Sequence, residues 1–172
     1  MTAPVFYKIG AVTVGSGGST EINFTSIPQI YSHLLIKTSI RDTAATFSEN
    51  IRLRFNGVST SSYTDRLLRG TGSTVASFYN ASDTQIGWWY SSAASSTTST
   101  FSSNEIFIPN YTSTVNKSIG IDTVTENNAT DAYPSINASI FTTSSAITSI
   151  KILSHVFASF VQYSSATLYG IK

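Results

Sequence analysis

A strict alternation of side chains between residues 34 and 41 constrains the fold of this chain more than any other feature of its sequence. The two sets of alternate positions are Leu34, Ile36, Thr38 and Ile40 on one side and Leu35, Lys37, Ser39 and Arg41 on the other. A period of two is that of a β-strand with one buried face. The sequence also ends on an apolar run from Leu168 to Ile171, followed by Lys172. Because a loose chain end is seldom apolar, this run is expected to form a further strand.

Short segments rich in Ile, Val, Thr, Phe and Tyr recur between clusters of Ser, Thr, Gly and Asn. This pattern is typical of an antiparallel sandwich or barrel. Helical periodicity is almost absent, and a short helix is an alternative only in segments 150–161 and 44–48. Nine or ten strands are expected from twelve candidate segments. The candidates are residues 6–14, 20–24, 31–41, 50–55, 63–70, 77–79, 85–91, 104–109, 117–125, 135–141, 146–153 and 166–171.

The length of the chain favours one domain, because 172 residues suffice for a single core and would make two small ones. We predict an all-β domain over residues 1–172, with little or no helix. Residues 1–7 are expected to form an interface arm or an edge strand. Residues 91–103 are rich in Ser and Thr and are expected to form a long exposed loop.

The pair Asn56-Gly57 is the strongest local turn signal. It follows segment 50–55, in which Ile51 and the alternate residues after it are apolar. Asn and Gly both tolerate the positive φ angles that a tight hairpin turn requires. A β-hairpin is therefore predicted at this position.

The charge of the chain argues against several classes of partner. Charged residues make up 11% of the sequence, the net charge is +1, and Ser and Thr together number 54. No run of Lys or Arg is present, so neither nucleic acid nor an anionic membrane is expected as a partner. A net charge this close to zero favours a protein that is assembled with others. The first residues lack the features of a signal peptide, so synthesis in a cytoplasm is expected.

Few residues offer catalytic or metal-binding chemistry. The chain has no Cys, and its two His residues, His33 and His155, lie in no catalytic or zinc-binding motif. The carboxylates are scattered singly, without a calcium loop or a glycosidase pair. A Ser-His-Asp triad assembled in space is the remaining catalytic alternative. We therefore expect no enzyme activity, no catalytic residue, no cofactor and no metal.

Two apolar segments are candidate interface residues. The candidates are Pro4, Val5, Phe6 and Tyr7 near the start of the sequence, and Trp88, Trp89 and Tyr90 in the middle. The first segment could add a strand to a neighbour's sheet. In the second, adjacent aromatics on one strand point to opposite faces, so at least one is expected outward unless the fold covers both faces. An exposed aromatic would contact another subunit or a sugar ring.

Several motifs together resemble those of tailed-bacteriophage virion proteins. In that family an F-S/T-S-I-P corner is followed by Y-x-H-L-x-I and by a polar strand with an Arg near its end. The matching residues are Phe24, Thr25, Ser26, Ile27, Pro28, Tyr31, His33, Leu34, Ile36 and Arg41. Residues 53–57 with Tyr63 are similar to the family's L-x-F-N-G…Y hairpin, and residues 108–111 to its I-P-N-Y strand exit. Residues 146–153 and 165–171 are similar to its I-x-S-I-x-I and S-x-x-x-L-Y-G-I ending, so the resemblance spans nearly the whole chain.

The resemblance implies a phage structural protein with a β-sandwich that is often jelly-roll-like. Such proteins occur as capsid decoration (cement) proteins or as modules of tails and fibres, some of them in phages of cyanobacteria. Because the chain carries no stalk sequence, the leading expectation is a cement protein on the outer surface of the virion capsid, made in the host bacterial cytoplasm. It would bind the major capsid protein as a homotrimer, since quasi-threefold positions of a shell select threefold partners. The alternative is a fibre-associated module that binds a host glycan.

Overall fold

A computed structural model of the protein describes residues 5–126, 132–154 and 157–172. Each of the twelve candidate segments overlaps a strand, so the expected count of nine or ten strands is too low, and no helix occurs in the described residues. The strands are β1 (Phe6–Thr13), β2 (Glu21–Phe24), β3 (His33–Ile40), β4 (Ser48–Phe55), β5 (Tyr63–Gly70), β6 (Val75–Asp83), β7 (Ile86–Ser92), β8 (Ser102–Pro109), β9 (Lys117–Thr125), β10 (Tyr133–Phe141), β11 (Ile150–Leu153) and β12 (Ser165–Ile171). The two helical alternatives are therefore wrong. Segment 150–161 begins with β11, and segment 44–48 contains bends that lead into β4.

The strands form two antiparallel sheets. The large sheet has the order β1-β12-β3-β8-β9-β10-β5-β6, and the small sheet has the order β2-β11-β4-β7. The last strand pairs with both β1 and β3 over its whole length. The apolar run 168–171 thus lies in a strand, as predicted, and this strand is paired on both sides within the large sheet.

Eight of the strands have the connectivity of a jelly roll. These are β1, β2, β3, β4, β7, β8, β11 and β12. Counted from first to eighth, they pair as first-eighth-third-sixth in the large sheet and as second-seventh-fourth-fifth in the small sheet. The remaining four, β9, β10, β5 and β6, widen the large sheet beyond β8, and we call them the extension. The prediction of an all-β, jelly-roll-like antiparallel sandwich is confirmed.

The core lies between the two sheets. The largest fully buried side chains include Trp89, Tyr63, Tyr111, Phe55 and Phe141. The predicted inner face of β3 is buried along its whole length. Each large apolar side chain removed from water in this way contributes about 1.5–3 kcal/mol to folding. Without any disulfide, this packing and the sheet hydrogen bonds hold the domain together.

Asn56 and Gly57 form the predicted tight turn, but the predicted hairpin is wrong. Their φ angles are 53° and 69°. The strands on either side of the turn, β4 and β5, lie in different sheets, because β7 and β11 already occupy both edges of β4. The Asn56 side chain instead binds the connection before β11. Its Oδ1 accepts from the N–H of Thr148 at 2.8 Å, and its Nδ2 donates to the carbonyl of Ala146 at 2.8 Å.

Residues from different sequence motifs contact one another in the fold. The hydroxyl of Tyr111 donates to the carbonyl of Pro28 in the proline corner. The ring of Tyr31 lies directly against Gly170, where an added Cβ would come within 2.3 Å of it. The phage-like motifs therefore correspond to residues that fix how the strands pack.

The segment 91–103 is a shorter loop than predicted, and its ends are buried. β7 continues through Ser92, and β8 begins at Ser102. Within the loop, Ser96 is buried as well. Between Ser92 and Ser102 the exposed residues are thus confined to the middle of the loop, and main-chain carbonyls of the loop turn inward to bind the Arg41 side chain.

Candidate interaction surfaces

The segment at the start of β1 exposes its side chains. Pro4 lies outside the described residues, whereas Val5, Phe6 and Tyr7 are 47%, 56% and 40% exposed. Phe6 begins β1 at the edge of the large sheet and stands edge-on to Tyr169, with ring centroids 6.4 Å apart. The described part of this segment is therefore an edge strand with aromatic side chains open to a partner.

Trp88, Trp89 and Tyr90 do not form an exposed cluster. Trp89 is 0% exposed in the core and Tyr90 is 4% exposed, so the prediction that their side chains serve an interface is corrected. The extension covers the second face of β7 with Arg69 and Tyr133, which contact Tyr90. Trp88 alone is half-buried and reaches the surface.

The side of the large sheet that points away from the small sheet is here called the outer face. The polarity of β10 is inverted in the middle of the strand, between the inward aromatic residues Tyr133 and Phe141 at its ends. The inward residues Ser135, Asn137 and Ser139 are buried. The outward residues Ile136 and Ile140 are 54% and 39% exposed. Solvated faces of antiparallel sheets are ordinarily polar and their core faces apolar. The outward residues of β10 therefore have the apolar character that is usual for a sheet face covered by other residues.

Other strands continue this apolar character across the outer face. Its exposed large apolar residues are Phe6, Leu68, Val75, Tyr79, Phe107, Val124, Ile136 and Ile140. Leu68 and Ile136 are direct cross-strand neighbours. Together with Val75, Val124 and Pro134 they line a shallow cavity of about 390 Å³. Contiguous exposed apolar surface on a soluble domain marks an interaction site.

A second candidate surface is a groove beside Trp88, which we call the β7 groove. Its aromatic half has a volume of about 370 Å³ and is lined in part by Phe78, Trp88 and Tyr133. The rings of Phe78 and Trp88 stack with centroids 5.4 Å apart and planes 9° apart. The guanidinium of Arg69 lies 4.4 Å from the centroid of Tyr133, and its Nη1 donates to the hydroxyl of Tyr90 at 2.8 Å. The aromatic walls are thus fixed by stacking and by one cation.

The other half of the β7 groove is polar. It has a volume of about 300 Å³ and shares Trp88 and Asn50 with the aromatic half. Arg52, Asp83 and Gln85 are among its lining residues. This half offers hydrogen-bond donors and acceptors next to an aromatic platform.

Buried polar contacts pin the strand that carries Trp88. The Nδ2 of Asn137 donates to the carbonyl of Trp88 at 2.7 Å. The N–H of Gly87 donates to Oδ2 of Asp65 at 2.7 Å, and the hydroxyl of Ser139 donates to Oδ1 of the same carboxyl. Burial raises the pKa of Asp65, and these hydrogen bonds oppose the rise. The backbone of the β7 groove is therefore held by the extension.

The described residues offer little for catalysis. No group of three or more His, Asp or Glu side chains in them could hold a metal ion. His33 sits at the start of β3, where its Nδ1 accepts from the N–H of Asn110 at 3.1 Å. His155 lies outside the described residues. No helix in the described residues is long and apolar enough to cross a membrane.

Comparison of the chain with protein-family models, with curated protein sequences and with solved structures finds no match in any of the three. Function is therefore inferred from the sequence motifs and from the two surfaces.

Sequence reasoning missed the outer face. Its apolar residues are spread over six strands, and no short segment of the sequence stands out. The available signal was the alternation in β10, where Ser135, Asn137 and Ser139 share one face and the isoleucines share the other. Hydrophobicity alone would have placed the isoleucines in the core, so that only the fold identifies them as surface residues.

Proposed function

We propose that this protein is a structural component of a tailed-phage virion, a cement protein that binds the outer surface of the capsid and stabilises contacts between major capsid subunits. The proposal rests on the phage-like motifs and on one structural observation, the apolar outer face of the large sheet. The inverted polarity of β10 supports a face that is covered by protein in the assembled state. No catalytic residue, cofactor or metal is required for this role.

The composition of the outer face suits a protein partner. Its cavity beside Leu68 and Ile136 would accept an apolar side chain of the partner. The charged residues of this face include Lys37 and Glu105, which pair with each other at 2.7 Å, and Asp122, which lines the rim of the cavity. A central apolar anchor with a polar rim is the usual anatomy of a specific interface. Stable contacts of this kind bury on the order of 1,600 Å² in total.

The proposed assembly is a homotrimer that sits on the shell. A shell repeats each contact at every symmetry position, so modest affinities per site add up over the particle. The edge strand β1 would supply a further contact, because Phe6 and Tyr7 are exposed beside an unpaired strand edge. A neighbouring subunit that adds a strand there would continue the large sheet.

Electron microscopy of virions of the phage whose genome encodes this chain tests the proposal. The expected map shows the sandwich on the outside of the shell, in many copies, with its outer face against the capsid protein. Copies found only in the tail or in fibres would contradict the cement role.

Purified protein and capsids that lack it allow a second test. Leu68→Asp and Ile136→Asp are expected to lower the fraction of bound protein, because each places a charge at the apolar anchor. Val115→Asp is the matched control, since Val115 is an exposed apolar residue in the loop between β8 and β9. Equal binding of the three variants would exclude the outer face as the docking surface.

A further inference from the structure

The β7 groove has the shape of a binding site for an extended small ligand. Its two halves meet at Trp88 and Asn50, so one ligand that runs past these residues touches both. Their volumes of about 370 and 300 Å³ are those of individual small-ligand pockets. The groove is separate from the outer face. It lies on the side of the large sheet to which the inward residues of β10 point, whereas the outer face is the opposite side of the same sheet.

The aromatic half provides a flat platform that is held rigid. Stacking on Phe78 fixes the indole of Trp88 from one side. Tyr133 is fixed by the guanidinium of Arg69, which the hydroxyl of Tyr90 also holds. The π-face of an aromatic ring carries partial negative charge, and it attracts the weakly positive C–H groups on the face of a pyranose ring. Side chains that are already ordered lose little entropy when such a ring binds.

The charges of the groove balance within each half. Arg69 and Glu49 line the aromatic half, and Arg52 and Asp83 line the polar half. A site for phosphate or for an acidic polymer would carry an excess of basic groups. The balance favours an uncharged ligand with many hydroxyl groups.

Asn50 lies where the halves meet and has unused hydrogen-bonding capacity. Its carboxamide makes no hydrogen bond to the described part of the chain, and its Oδ1 is buried without a partner there. Buried polar atoms without partners are uncommon in folded proteins. A carboxamide both donates and accepts, as the hydroxyls of a sugar do.

From these observations we propose that the β7 groove binds a neutral glycan through at least two consecutive pyranose units. Trp88 stacks on one unit, and Asn50 with Asp83 and Gln85 binds hydroxyls of the next. Identification of the natural ligand as a polysaccharide of the host surface rests on the virion role proposed above, in which this site would add a cell-binding function to a shell protein. The site is independent of the contacts proposed for the outer face.

Tryptophan fluorescence tests the proposal directly. The chain has two Trp residues, and since Trp89 is buried in the core, a ligand in the groove changes the emission of Trp88. Titration with maltotetraose, cellotetraose and the tetramer of N-acetylglucosamine is expected to give a saturable change at millimolar concentrations with at least one of them. Polygalacturonate serves as the anionic probe. No response to any neutral oligosaccharide would overturn the proposal, as would a response to polygalacturonate alone that salt abolishes.

Variants locate the binding site. Calorimetry with the best oligosaccharide is expected to show affinity lowered about tenfold or more by Trp88→Leu, which removes the stacking platform, and lowered also by Asn50→Ala. Tyr79→Leu is the matched control, because Tyr79 is an exposed aromatic on the outer face. Circular dichroism checks that each variant is folded. Equal affinities in all three variants would place the sugar elsewhere and overturn the proposal.

Capsid binding separates this inference from the proposed cement role. Trp88→Leu is expected to bind capsids normally, since the groove does not include the outer face. A protein that binds sugar but no capsid would leave the groove proposal standing and overturn the cement proposal. A Trp88→Leu variant that binds neither would show that the two surfaces are not independent.

Discussion

The Nη1 of Arg41 donates to the carbonyl of Thr97 at 3.0 Å, across the connection between β7 and β8. The same nitrogen donates to the carbonyl of Thr100 at 2.9 Å, and Nη2 donates to the carbonyls of Ala94 and Ser96 at 3.3 and 3.2 Å. Burial lowers the pKa of Arg41, but a guanidinium titrates so high that it stays charged in proteins. One side chain at the end of β3 therefore organises a loop that consists almost entirely of Ser, Thr and Ala.

Replacement of Arg41 by Met is expected to destabilise the domain by about 3 kcal/mol, because it leaves several carbonyls of the loop without donors. Urea unfolding measures the loss. Arg66→Met, at an exposed position of β5, is the control and is expected to change stability by less than about 0.5 kcal/mol. Similar losses in the two variants would show that the Arg41 hydrogen bonds contribute little.

Gly170 is required by the position of Tyr31. A Cβ at residue 170 would lie 2.3 Å from the ring of Tyr31, so Gly170→Ala is expected to cost about 1–3 kcal/mol through overpacking. Gly120→Ala is the matched control in the same sheet, because nothing lies within 4 Å of a Cβ there. Thermal unfolding measures both.

A double variant tests the cause. If the ring is what the added methyl meets, Tyr31→Ala combined with Gly170→Ala is expected to lose less stability than the sum of the two single variants. Strict additivity would mean that the glycine is needed for another reason.

The sequence reveals the strands of this fold much better than it reveals their partners. Alternation and turn residues are local signals, and they mark β5 and β9 at their observed bounds. The pairing of β4 depends on strands far away in the sequence, and for that reason Asn56 and Gly57 could indicate a turn but not the sheet that follows it. Of the residues that line the β7 groove, the sequence indicated Trp88 and Tyr90, as members of an aromatic cluster. Trp88 and Trp89 are equivalent in sequence, and only the side chains of β5, β6 and β10 decide which of them reaches the surface.

Stability should depend on pH through Asp65. Because burial raises the pKa of Asp65, the folded state holds its proton more tightly than the unfolded chain does. Its contribution to stability is therefore most favourable below the unfolded pKa of about 3.9 and is lost as pH rises through the folded pKa. Asp65→Asn removes this dependence. The stability of the variant relative to the wild type is therefore expected to increase as pH rises from the unfolded pKa through the folded pKa of Asp65. Urea unfolding at a series of pH values gives the difference.

Asp122→Asn is the control for this pH effect, since Asp122 is exposed on the outer face. Because this variant also removes one carboxyl, its difference from Asp65→Asn isolates the effect of burial at residue 65. Parallel curves for all three proteins would contradict the role of burial at Asp65.

Deletion of residues 1–7 is expected to weaken capsid binding while the domain stays folded. Among the removed residues that the structure describes, 5–7, only Phe6 and Tyr7 pair with β12, opposite Ile171 and Gly170, and both have exposed side chains. Their loss should cost about 1 kcal/mol of stability, whereas removal of two exposed aromatics from an interface should lower capsid affinity about tenfold or more. Co-sedimentation with capsids measures binding, and urea unfolding measures stability.

The double variant Phe6→Ser and Tyr7→Ser keeps the main chain and separates strand addition from side-chain contact. If the variant that lacks residues 1–7 binds capsids as well as the wild type does, this edge of the large sheet is not an anchor, and the outer face alone must provide the contact.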